Sequence, residues 1–399
     1  MTVRRDCFVS LAMTAGLEAV ISRARSARRD LLLIAAVLLA AACDGGGQAT
    51  LAAEALPLPS DTLVAPWTNL PVAAWVGGGR WAVVAGDWDA AVIADFGRRT
   101  IEPLGGAKQQ AYLHPVAVFA VGDTVYLADW GRRRTTVWTA EGKLLDSIPS
   151  PDALRGGYPR GRDAAGQLYF EVPPIPGRDG SGNQDSAAIV RAPRSLARFD
   201  TVARLAPAEV AEMRRENSRR FEKRALSGSD LWGVWPDGTV WIARLSHNHL
   251  ESVDPARHRT SGPSLPDPVF EVTQADRDRY LQGFPTDVRP NETDLAFALV
   301  HPPFVGAFAA PAGAGGSGAG APPGGGPSIW LEKSKPVLDS VRKIHVLDRS
   351  GNLRRVLELH GEARMLGVGD RTILVAEQFE KGIRLMQVRI PAEPGNTPG

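Results

Sequence analysis

The stretch Thr124-Val-Tyr-Leu-Ala-Asp129, which follows the turn Gly122-Asp123, decides the fold because it recurs along the chain. Each copy is a short, mostly apolar alternating run after a turn, the pattern of a β-strand. The six copies are Arg80–Ala85, Thr124–Asp129, Gln167–Val172, Thr239–Arg244, Ser328–Lys333 and Thr372–Glu377. Their starts are 44, 43, 72, 89 and 44 residues apart. Three of these spacings fit a propeller blade of about 40–45 residues, and the two longer ones leave room for insertions.

The residues around each copy supply the other strands of a blade. An apolar strand such as Pro115–Val121 precedes the copy, and a third strand such as Ile344–Asp348 follows most copies. The turn Asp348-Arg-Ser-Gly351 then begins a fourth strand. The sequence therefore predicts an all-β protein, with residues 61–391 forming a six-bladed β-propeller of four-stranded blades with one or two short inserted helices.

The two ends of the propeller domain predict how the ring closes. After Ile390 only a polar tail remains, so the sixth blade has three C-terminal strands and lacks a fourth. Residues 61–66, Asp-Thr-Leu-Val-Ala-Pro, have strand character and no other partner. Pairing them beside residues 383–390 would cover an exposed edge and close the ring.

Several segments depart from the repeat. Residues 207–226 carry acids early and bases late, which predicts a helix. Residues 273–282 predict a second short helix, because Asp276 stands three residues after the potential cap Thr273. Residues 309–327 consist almost entirely of Gly, Ala, Pro and Ser and predict a disordered loop. The polar C-terminal residues 392–399 predict a disordered tail.

The N-terminus predicts export. Four arginines between residues 23 and 29 precede the apolar run Leu31–Ala42, and this arrangement is typical of a secretory signal peptide over residues 1–42. The run is too short to cross a bilayer as a helix, which needs about 20 apolar residues. The protein is therefore expected to reach the far side of a bacterial inner membrane.

The end of the apolar run indicates how the exported protein is held. The stretch Leu38-Leu-Ala-Ala-Ala-Cys43 resembles the lipobox of bacterial lipoproteins, although Ala40 stands where Leu is commonest. The resemblance implies lipidation of Cys43, a flexible tether over residues 43–60, and a location on the periplasmic side of a membrane or at the cell surface. An ordinary signal peptide with an incidental cysteine, or a short membrane anchor, is the alternative.

The charge balance argues against nucleic acid as a partner. The whole chain has 46 Lys and Arg against 44 Asp and Glu. Residues 1–42 hold six Arg and three acids, so the remainder is close to neutral. A nucleic-acid-binding domain normally carries a marked basic excess. Cys43 is the single cysteine left after residue 42, so no disulfide is expected although export would permit one.

Two stretches carry a family resemblance. Pro236-Asp-Gly-Thr-Val-Trp-Ile-Ala243 and Gly122-Asp-Thr-Val-Tyr-Leu-Ala-Asp-Trp-Gly-Arg-Arg-Arg134 resemble the NHL-type and TolB-like six-bladed propellers of bacterial exported proteins. The resemblance covers residues 61–391 and implies the fold. It leaves the function open, because such propellers include enzymes, scaffolds and receptors.

The ends of the second strands predict a ligand site. In propellers these ends lie on the same face as the beginnings of the innermost strands, and ligands often bind in that axial funnel. The funnel candidates are Asp87, Trp88, His114, Asp129, Trp130, Arg132, Trp232, Arg244, Lys333 and Glu377. Arg244 and Lys333 have the same sign in neighbouring blades, which favours an anionic ligand. Salt bridges between blades, such as Lys333 with Glu377, are the structural alternative.

One cluster has metal-ligand chemistry. His247, His249 and Glu251 are spaced so that a strand would place them on one face. Two histidines and a carboxylate can hold a divalent metal. This strand is expected to lie far from the axis, so an ordinary polar strand face is the favoured interpretation.

Two function classes follow. The favoured one is a membrane-anchored, monomeric binding or scaffolding module without a cofactor, whose ligand at the funnel is a protein, peptide or glycan. The alternative is a hydrolase or lyase with calcium or zinc on the axis, as other six-bladed propellers have. Under this alternative, Asp87, Asp129 and Glu377 supply three ligands of an axial metal site. Arg244 and Lys333 occupy positions where further ligands would be expected.

Overall fold

The computed structural model describes residues 51–106, 112–174, 186–215, 218–311 and 327–391. The predicted signal peptide, Cys43, most of the loop 309–327 and the tail 392–399 lie outside the described residues. In the described part, no helix is both long and apolar enough to cross a membrane.

The described residues form strands, one α-helix and a few isolated 3-10 turns. The strands, in chain order, are β1 (Ala53–Ala55), β2 (Asp61–Ala65), β3 (Val72–Gly77), β4 (Arg80–Ala85), β5 (Ala90–Asp95), β6 (Thr100–Pro103), β7 (Pro115–Val121), β8 (Thr124–Asp129), β9 (Arg134–Thr139), β10 (Leu144–Pro149), β11 (Pro159–Arg162), β12 (Leu168–Val172), β13 (Ala188–Ala192), β14 (Asp200–Arg204), β15 (Val210–Arg215), β16 (Ser218–Lys223), β17 (Leu231–Val234), β18 (Val240–Arg244), β19 (His249–Val253), β20 (Arg259–Ser261), β21 (Phe304–Ala309), β22 (Ile329–Lys333), β23 (Val341–Leu347), β24 (Leu353–His360), β25 (Arg364–Val368), β26 (Thr372–Phe379) and β27 (Gly382–Arg389). The helix is α1 (Gln274–Gln282).

These strands build the predicted six-bladed propeller. Blades 1 to 5 contain β3–β6, β7–β10, β11–β14, β17–β20 and β21–β24, each as one antiparallel sheet in sequence order, and blade 6 contains β25–β27 with β2. The first strands of consecutive blades contact one another in a closed cycle, β3–β7–β11–β17–β21–β25 and back to β3. The six-bladed propeller fold is therefore confirmed, with these six strands innermost.

Antiparallel pairing gives the ring two distinct ends. Because neighbouring strands alternate in direction, innermost strands begin at the end where second strands finish. The long connections 205–230 and 262–303 also join blades at this end, which is termed the top face below. The top face is where the sequence places the funnel.

The core lies between blades. The second strands are the most buried elements, and every residue of β18 and β22 is buried. Between blades 1 and 2, for example, Val84, Leu127 and Trp138 pack in one apolar cluster. This two-sided burial explains the dense apolar residues of the recurring stretch, because a sheet stacked on both faces buries both sets of side chains.

An N-terminal strand closes the ring. β2 pairs antiparallel with β27, with Leu63 opposite Leu385, and gives blade 6 its fourth strand. This is the pairing that the sequence predicts. Leu63 is buried and Val64 exposed, as the alternation of a strand requires. Gly382 permits the close approach, since a Cβ there would lie 2.2 Å from the Ala65 carbonyl oxygen.

The segment before β2 differs from the predicted flexible tether. Residues 53–55 form β1, which pairs parallel with β24 at the outer edge of blade 5. Glu54 forms an ion pair with Arg355 at 2.7 Å, and the Ser60 N–H donates to the Gln387 carbonyl at 2.8 Å. The edge of a sheet offers unpaired backbone groups, and this segment satisfies some of them. Residues 51–60 are therefore attached to the propeller.

The predicted helix over residues 207–226 is wrong, because the structure has a β-hairpin of β15 and β16 there. A hairpin brings early residues opposite late ones, so acids early and bases late fit it as well as they fit a helix dipole. The Glu209–Arg224 ion pair at 3.1 Å joins the two arms in this way. The second predicted helix is confirmed as α1, with the Thr273–Asp276 capping box present.

Candidate functional site

The predicted funnel acids fix the backbone at the top face. Asp129 is 2% exposed and accepts hydrogen bonds from the backbone N–H groups of Leu113, His114 and Arg132 at 3.0, 2.9 and 3.2 Å. These bonds clamp the approach to β7 onto the end of β8. The carboxylate is a structural link between the first two strands of blade 2.

Asp87 has the same role in blade 1. It accepts from the backbone N–H groups of Thr68 and Asn69 at 2.9 and 3.0 Å and from the Thr68 hydroxyl. Burial raises the pKa of Asp87, but these hydrogen bonds outweigh it and the pKa lies below its ordinary value. Glu377 instead forms an ion pair with Arg384 of its own blade at 2.9 Å.

The predicted basic pair is buried and neutralised. Arg244 donates to Asp230 at 2.7 Å and to both carboxylate oxygens of Glu251 at 2.8 and 3.2 Å. Lys333 is 4% exposed and lies 2.5 Å from the Asp267 carboxylate. The expectation that two unpaired bases of like sign face an anion is therefore corrected. The suggested Lys333–Glu377 bridge is replaced by Lys333–Asp267, because residues 262–303 bring an acid to Lys333.

The remaining predicted funnel residues with described side chains are either exposed or already hydrogen-bonded within the protein. Trp130 is 61% exposed, whereas Trp232 is 9% exposed and donates from Nε1 to Glu171 at 2.7 Å. His114 bonds through Nδ1 to Asp89 of the neighbouring blade. Arg132 is exposed at the end of β8, and Trp88 has a described backbone in the turn Gly86–Trp88, while its side chain lies outside the described part.

The predicted metal-ligand cluster of His247, His249 and Glu251 is not formed. His247 lies in a turn before β19 with a left-handed φ of 59°, so the three residues do not follow one strand. His249 Nδ1 is 3.0 Å from the Ser246 carbonyl oxygen, and Glu251 is bound to Arg244. Within the described ranges, no group of three His, Cys, Asp or Glu side chains is placed to hold a metal ion.

The two long connections dock on each other at the top face. The Ala225 N–H donates to the Ala296 carbonyl at 2.7 Å, and the Ala298 N–H donates to the Ala225 carbonyl at 2.9 Å. Arg224 Nη1 also donates to the Phe297 carbonyl at 3.1 Å. Residues 205–230 and 262–303 therefore form one joined layer beside blades 4 and 5.

A pocket of about 220 Å³ lies between residues 262–303 and blade 5. Its floor comes from β22, β23 and β24, and β1 completes one side. The lining residues are Leu51, Ala53, Pro266, Asp267, Pro268, Phe270, His301, Pro302, Pro303, Lys333, Ser334, Lys335, Asp339, Val341, Lys343, His345, Leu353 and Val356. Ten of these eighteen residues are apolar and seven are ionisable, so the pocket joins an apolar wall to a cluster of charged and titratable groups.

A buried ionisable cluster forms part of the pocket wall. Lys333 Nζ donates to Asn248 Oδ1 at 3.1 Å, and Asn248 Nδ2 donates to Asp267 at 2.5 Å. His345 Nε2 lies 3.5 Å from the other oxygen of Asp267. Burial lowers the pKa of Lys333, with Asp267 opposing the shift. One carboxylate thus faces a lysine, an asparagine and a histidine.

The imidazole of His345 is held neutral. Burial lowers its pKa to about 4, the nearby Asp267 carboxylate opposes that shift, and the charges of Lys333 and Lys343 add to it.

Another acid, Asp276, lies near the pocket and accepts several hydrogen bonds. Burial raises the pKa of Asp276, but hydrogen bonds from Thr273, His301 and Val337 lower it to about 2.

Sequence reasoning missed Asp267 and His345. His345 falls within a predicted third strand, where alternation alone does not separate a buried polar residue from an exposed one. The available signal for Asp267 is Pro266-Asp-Pro268, a rigid stretch inside the insertion. The pairing of Asp267 with Lys333 depends on how residues 262–303 pack against blade 5, and the local sequence pattern does not encode that packing.

The comparisons with known proteins find structural neighbours at low identity. No family model matches the chain, and no curated protein matches it. Among solved structures, a streptogramin B lyase is 10% identical over 84% of this chain and 90% of that chain, with a TM-score of 0.38. Virginiamycin B lyase from Staphylococcus aureus is 11% identical over 83% and 99%, with a TM-score of 0.41. A calcium-binding protein, regucalcin, from Agrobacterium tumefaciens is 11% identical over 87% and 100%, with a TM-score of 0.38. At these identities and TM-scores, no property of those proteins transfers to this chain.

Proposed function

We propose that the protein is an exported, lipid-anchored propeller that binds a protein or peptide partner at its top face. The observation that carries the proposal is the position of exposed large apolar side chains. Leu70, Val72, Leu113, Trp130 and Val305 are each more than a third exposed, and all lie where innermost strands begin or second strands end. Exposed large apolar side chains that share one face commonly mark an interaction site.

The apolar surface is rigidly presented in blade 2. Leu113 and Trp130 are 60% and 61% exposed, yet their backbones are fixed. The Trp130 N–H donates to the His114 carbonyl at 2.9 Å, and the buried Asp129 holds the Leu113 N–H. Because these groups are already ordered, a partner binds them with little loss of conformational entropy. This pre-organisation is what a binding surface requires.

The chemistry of the surface favours a polypeptide over a glycan. Four of the five exposed side chains are aliphatic, and aliphatic side chains form no hydrogen bonds with sugar hydroxyls. The predicted funnel charges are largely engaged within the protein, through Arg244 with Asp230 and Glu251 and through Lys333 with Asp267. A partner with an apolar ridge or helix face therefore fits the surface best.

Photo-crosslinking tests the proposed surface. A photoreactive phenylalanine analogue placed at Trp130 or Leu113 should give a discrete polypeptide adduct in the intact envelope. The matched control position is Leu145, which is 51% exposed. It lies at the start of β10, near the opposite end of blade 2. Equal adducts at 145, no adduct at 113 or 130, or glycan adducts alone would contradict a protein partner at the top face.

Cys43 supplies the proposed membrane attachment. Ala53, where β1 docks on blade 5, lies ten positions after Cys43. An extended chain of that length spans about 35 Å. A lipid on Cys43 would therefore keep the propeller near the membrane, where an envelope protein is the natural partner.

The anchor is tested by fractionation. Wild-type protein should need detergent for extraction, and Cys43→Ser should release it into the soluble fraction or stall its processing. Mass spectrometry of the mature N-terminus provides the control, since diacylglycerol adds a defined mass to Cys43. Unmodified wild-type protein in the soluble periplasmic fraction would contradict the anchor.

A further inference from the structure

We propose that the pocket between residues 262–303 and blade 5 binds a small molecule that joins an apolar body to a hydroxyl or amide N–H donor. This site is distinct from the top-face apolar surface, because none of the residues of that surface lines the pocket. It therefore does not depend on the proposed protein partner.

The apolar body is accommodated by the pocket wall. Phe270 and Pro303 come from the inserted connection, and Val341, Leu353 and Val356 come from the outer strands of blade 5. The backbones of Val341, Leu353 and Val356 are held by strand pairing, and the ring of Pro303 cannot rotate. A concave apolar wall with a few fixed polar groups is the usual form of a small-molecule site.

Besides His301 Nε2, which lies 3.2 Å from the Asp276 carboxylate, two buried polar atoms in the lining lack partners. Ser334 Oγ and His345 Nδ1 are both shielded from solvent, and neither has a hydrogen-bond partner among the described residues. His345 is 3% exposed and Ser334 is 8% exposed. Buried polar groups in native proteins are almost always hydrogen-bonded, so each unpaired atom requires an explanation. A ligand that reaches both atoms supplies one.

The protonation of His345 defines what the ligand must offer. Its Nε2 faces the Asp267 carboxylate at 3.5 Å, so the neutral ring carries its proton on that nitrogen. Nδ1 is then a bare acceptor. The complementary ligand group is a donor, either a hydroxyl or an N–H, while the Ser334 hydroxyl can donate or accept.

The charged groups of the lining favour a neutral ligand. Lys333 is neutralised by Asp267 at 2.5 Å, and Lys335 by Glu362 at 3.1 Å. Lys343 is exposed to solvent, where its charge is screened. The two lysines of the lining with buried side chains are thus already paired, and the lining also contains the exposed carboxylate of Asp339. A carboxylate ligand would compete with Asp267 for Lys333.

Three probes that differ in one substituent test the proposal. Benzyl alcohol carries the donor, toluene lacks it, and benzoate replaces it with a charge. The full chain, labelled with ¹⁵N-histidine, is titrated with each probe, and His345→Gln assigns the His345 signals. Benzyl alcohol should shift the His345 Nδ1 signal saturably. Toluene should bind at least threefold more weakly without that shift, and benzoate should bind no better than benzyl alcohol.

Substitutions separate the site from its surroundings. Ser334→Ala should weaken the binding of benzyl alcohol three- to tenfold. Ser261→Ala, on the exposed strand β20, should leave the affinity unchanged. The signal of His360, exposed on β24, should not respond. Absence of saturable binding, tighter binding of benzoate, or equal effects of the two serine substitutions would each overturn the proposal.

Discussion

Blades 2 and 5 have the same four strands, but the ends of their second strands carry different chemistry. In the repeat, Ala128 and Asp129 of β8 correspond to Glu332 and Lys333 of β22. All four residues are buried. Asp129 is satisfied by backbone N–H groups of its own blade, whereas Lys333 needs Asp267 from the inserted connection.

The difference shows what the longer connection contributes. A buried charge without a partner is strongly destabilising, so blade 5 depends on groups from outside its own sheet. Glu332 pairs with Arg342 of its blade at 3.0 Å and with Arg364 of blade 6 at 2.6 Å. The buried Asp129 of blade 2 is satisfied within its own blade, while the buried Glu332 and Lys333 of blade 5 need residues 262–303 and the neighbouring blade 6.

Removing the closing strand should have the largest effect, because it opens the ring that holds both blades. Deletion of residues 44–66 exposes the edge of β27 and the apolar cluster around Leu63 and Leu385. We expect the cooperative thermal transition to be lost or sharply lowered. Deletion of residues 44–50, which spares β1 and β2, is the control. Similar melting of the two deletion variants would refute closure by β2.

Breaking the buried Lys333–Asp267 pair at blade 5 should destabilise the protein far more than breaking an exposed ion pair near blade 2. Asp267→Ala leaves Lys333 uncompensated and is expected to lower the free energy of unfolding by about 3–5 kcal/mol. Asp152→Ala, which removes an exposed ion pair with Arg133 in the blade 2 region, should change it much less. Denaturant unfolding measures both.

A double substitution sharpens this result. Asp267→Ala with Lys333→Met removes both charges and should recover part of the lost stability, since apolar replacements of a buried pair are often near neutral. If the double variant is as unstable as the sum of the two single variants, the charges do not interact.

The pH dependence of stability should follow His345. Burial lowers its pKa to about 4 in the folded protein, against about 6.5 in the unfolded chain. As the pH falls below 6.5, the unfolded chain takes up the proton first. Stability that is complete above pH 6.5 is therefore lost towards pH 4, by about 3 kcal/mol.

His345→Gln removes this contribution, and His360→Gln is the matched control on an exposed site. Chemical denaturation at several pH values should give a flatter profile for His345→Gln alone. An unchanged slope in that variant would show that His345 titrates normally in the folded protein.

The smallest expected effect on stability is at the exposed surface of blade 2. Trp130→Ala should change the free energy of unfolding by less than about 0.5 kcal/mol, because the side chain is 61% exposed. It should nevertheless abolish adduct formation from the analogue at Leu113. A large loss of stability would instead indicate that Trp130 serves the fold.

The fold could be predicted because its signals are local and repeated. The recurring stretch, the turn residues and the strand Asp61–Ala65 each specify a strand without reference to distant residues. The helix α1 was predictable for the same reason, since its capping box lies within four residues. Repetition then fixed the number of blades.

The site could be predicted only in part. The top face follows from strand direction, but the state of each charge there depends on partners distant in sequence. Arg244 meets Asp230 and Glu251, and Lys333 meets Asp267, 66 residues before it. The hairpin at residues 210–223 failed as a helix because its charge pattern suits both structures. Tertiary contacts decided each case.

The titration of the His345 imidazole tests the central claim most directly, namely that residues 262–303 complete blade 5 by enclosing a buried charge cluster. NMR spectra of histidine-labelled protein, assigned with His345→Gln, report this pKa without perturbing the site. The structure predicts a pKa of about 4, lowered by burial despite the nearby Asp267 carboxylate. A pKa near 6.5 would contradict the burial of the cluster and, with it, the difference between the two blades.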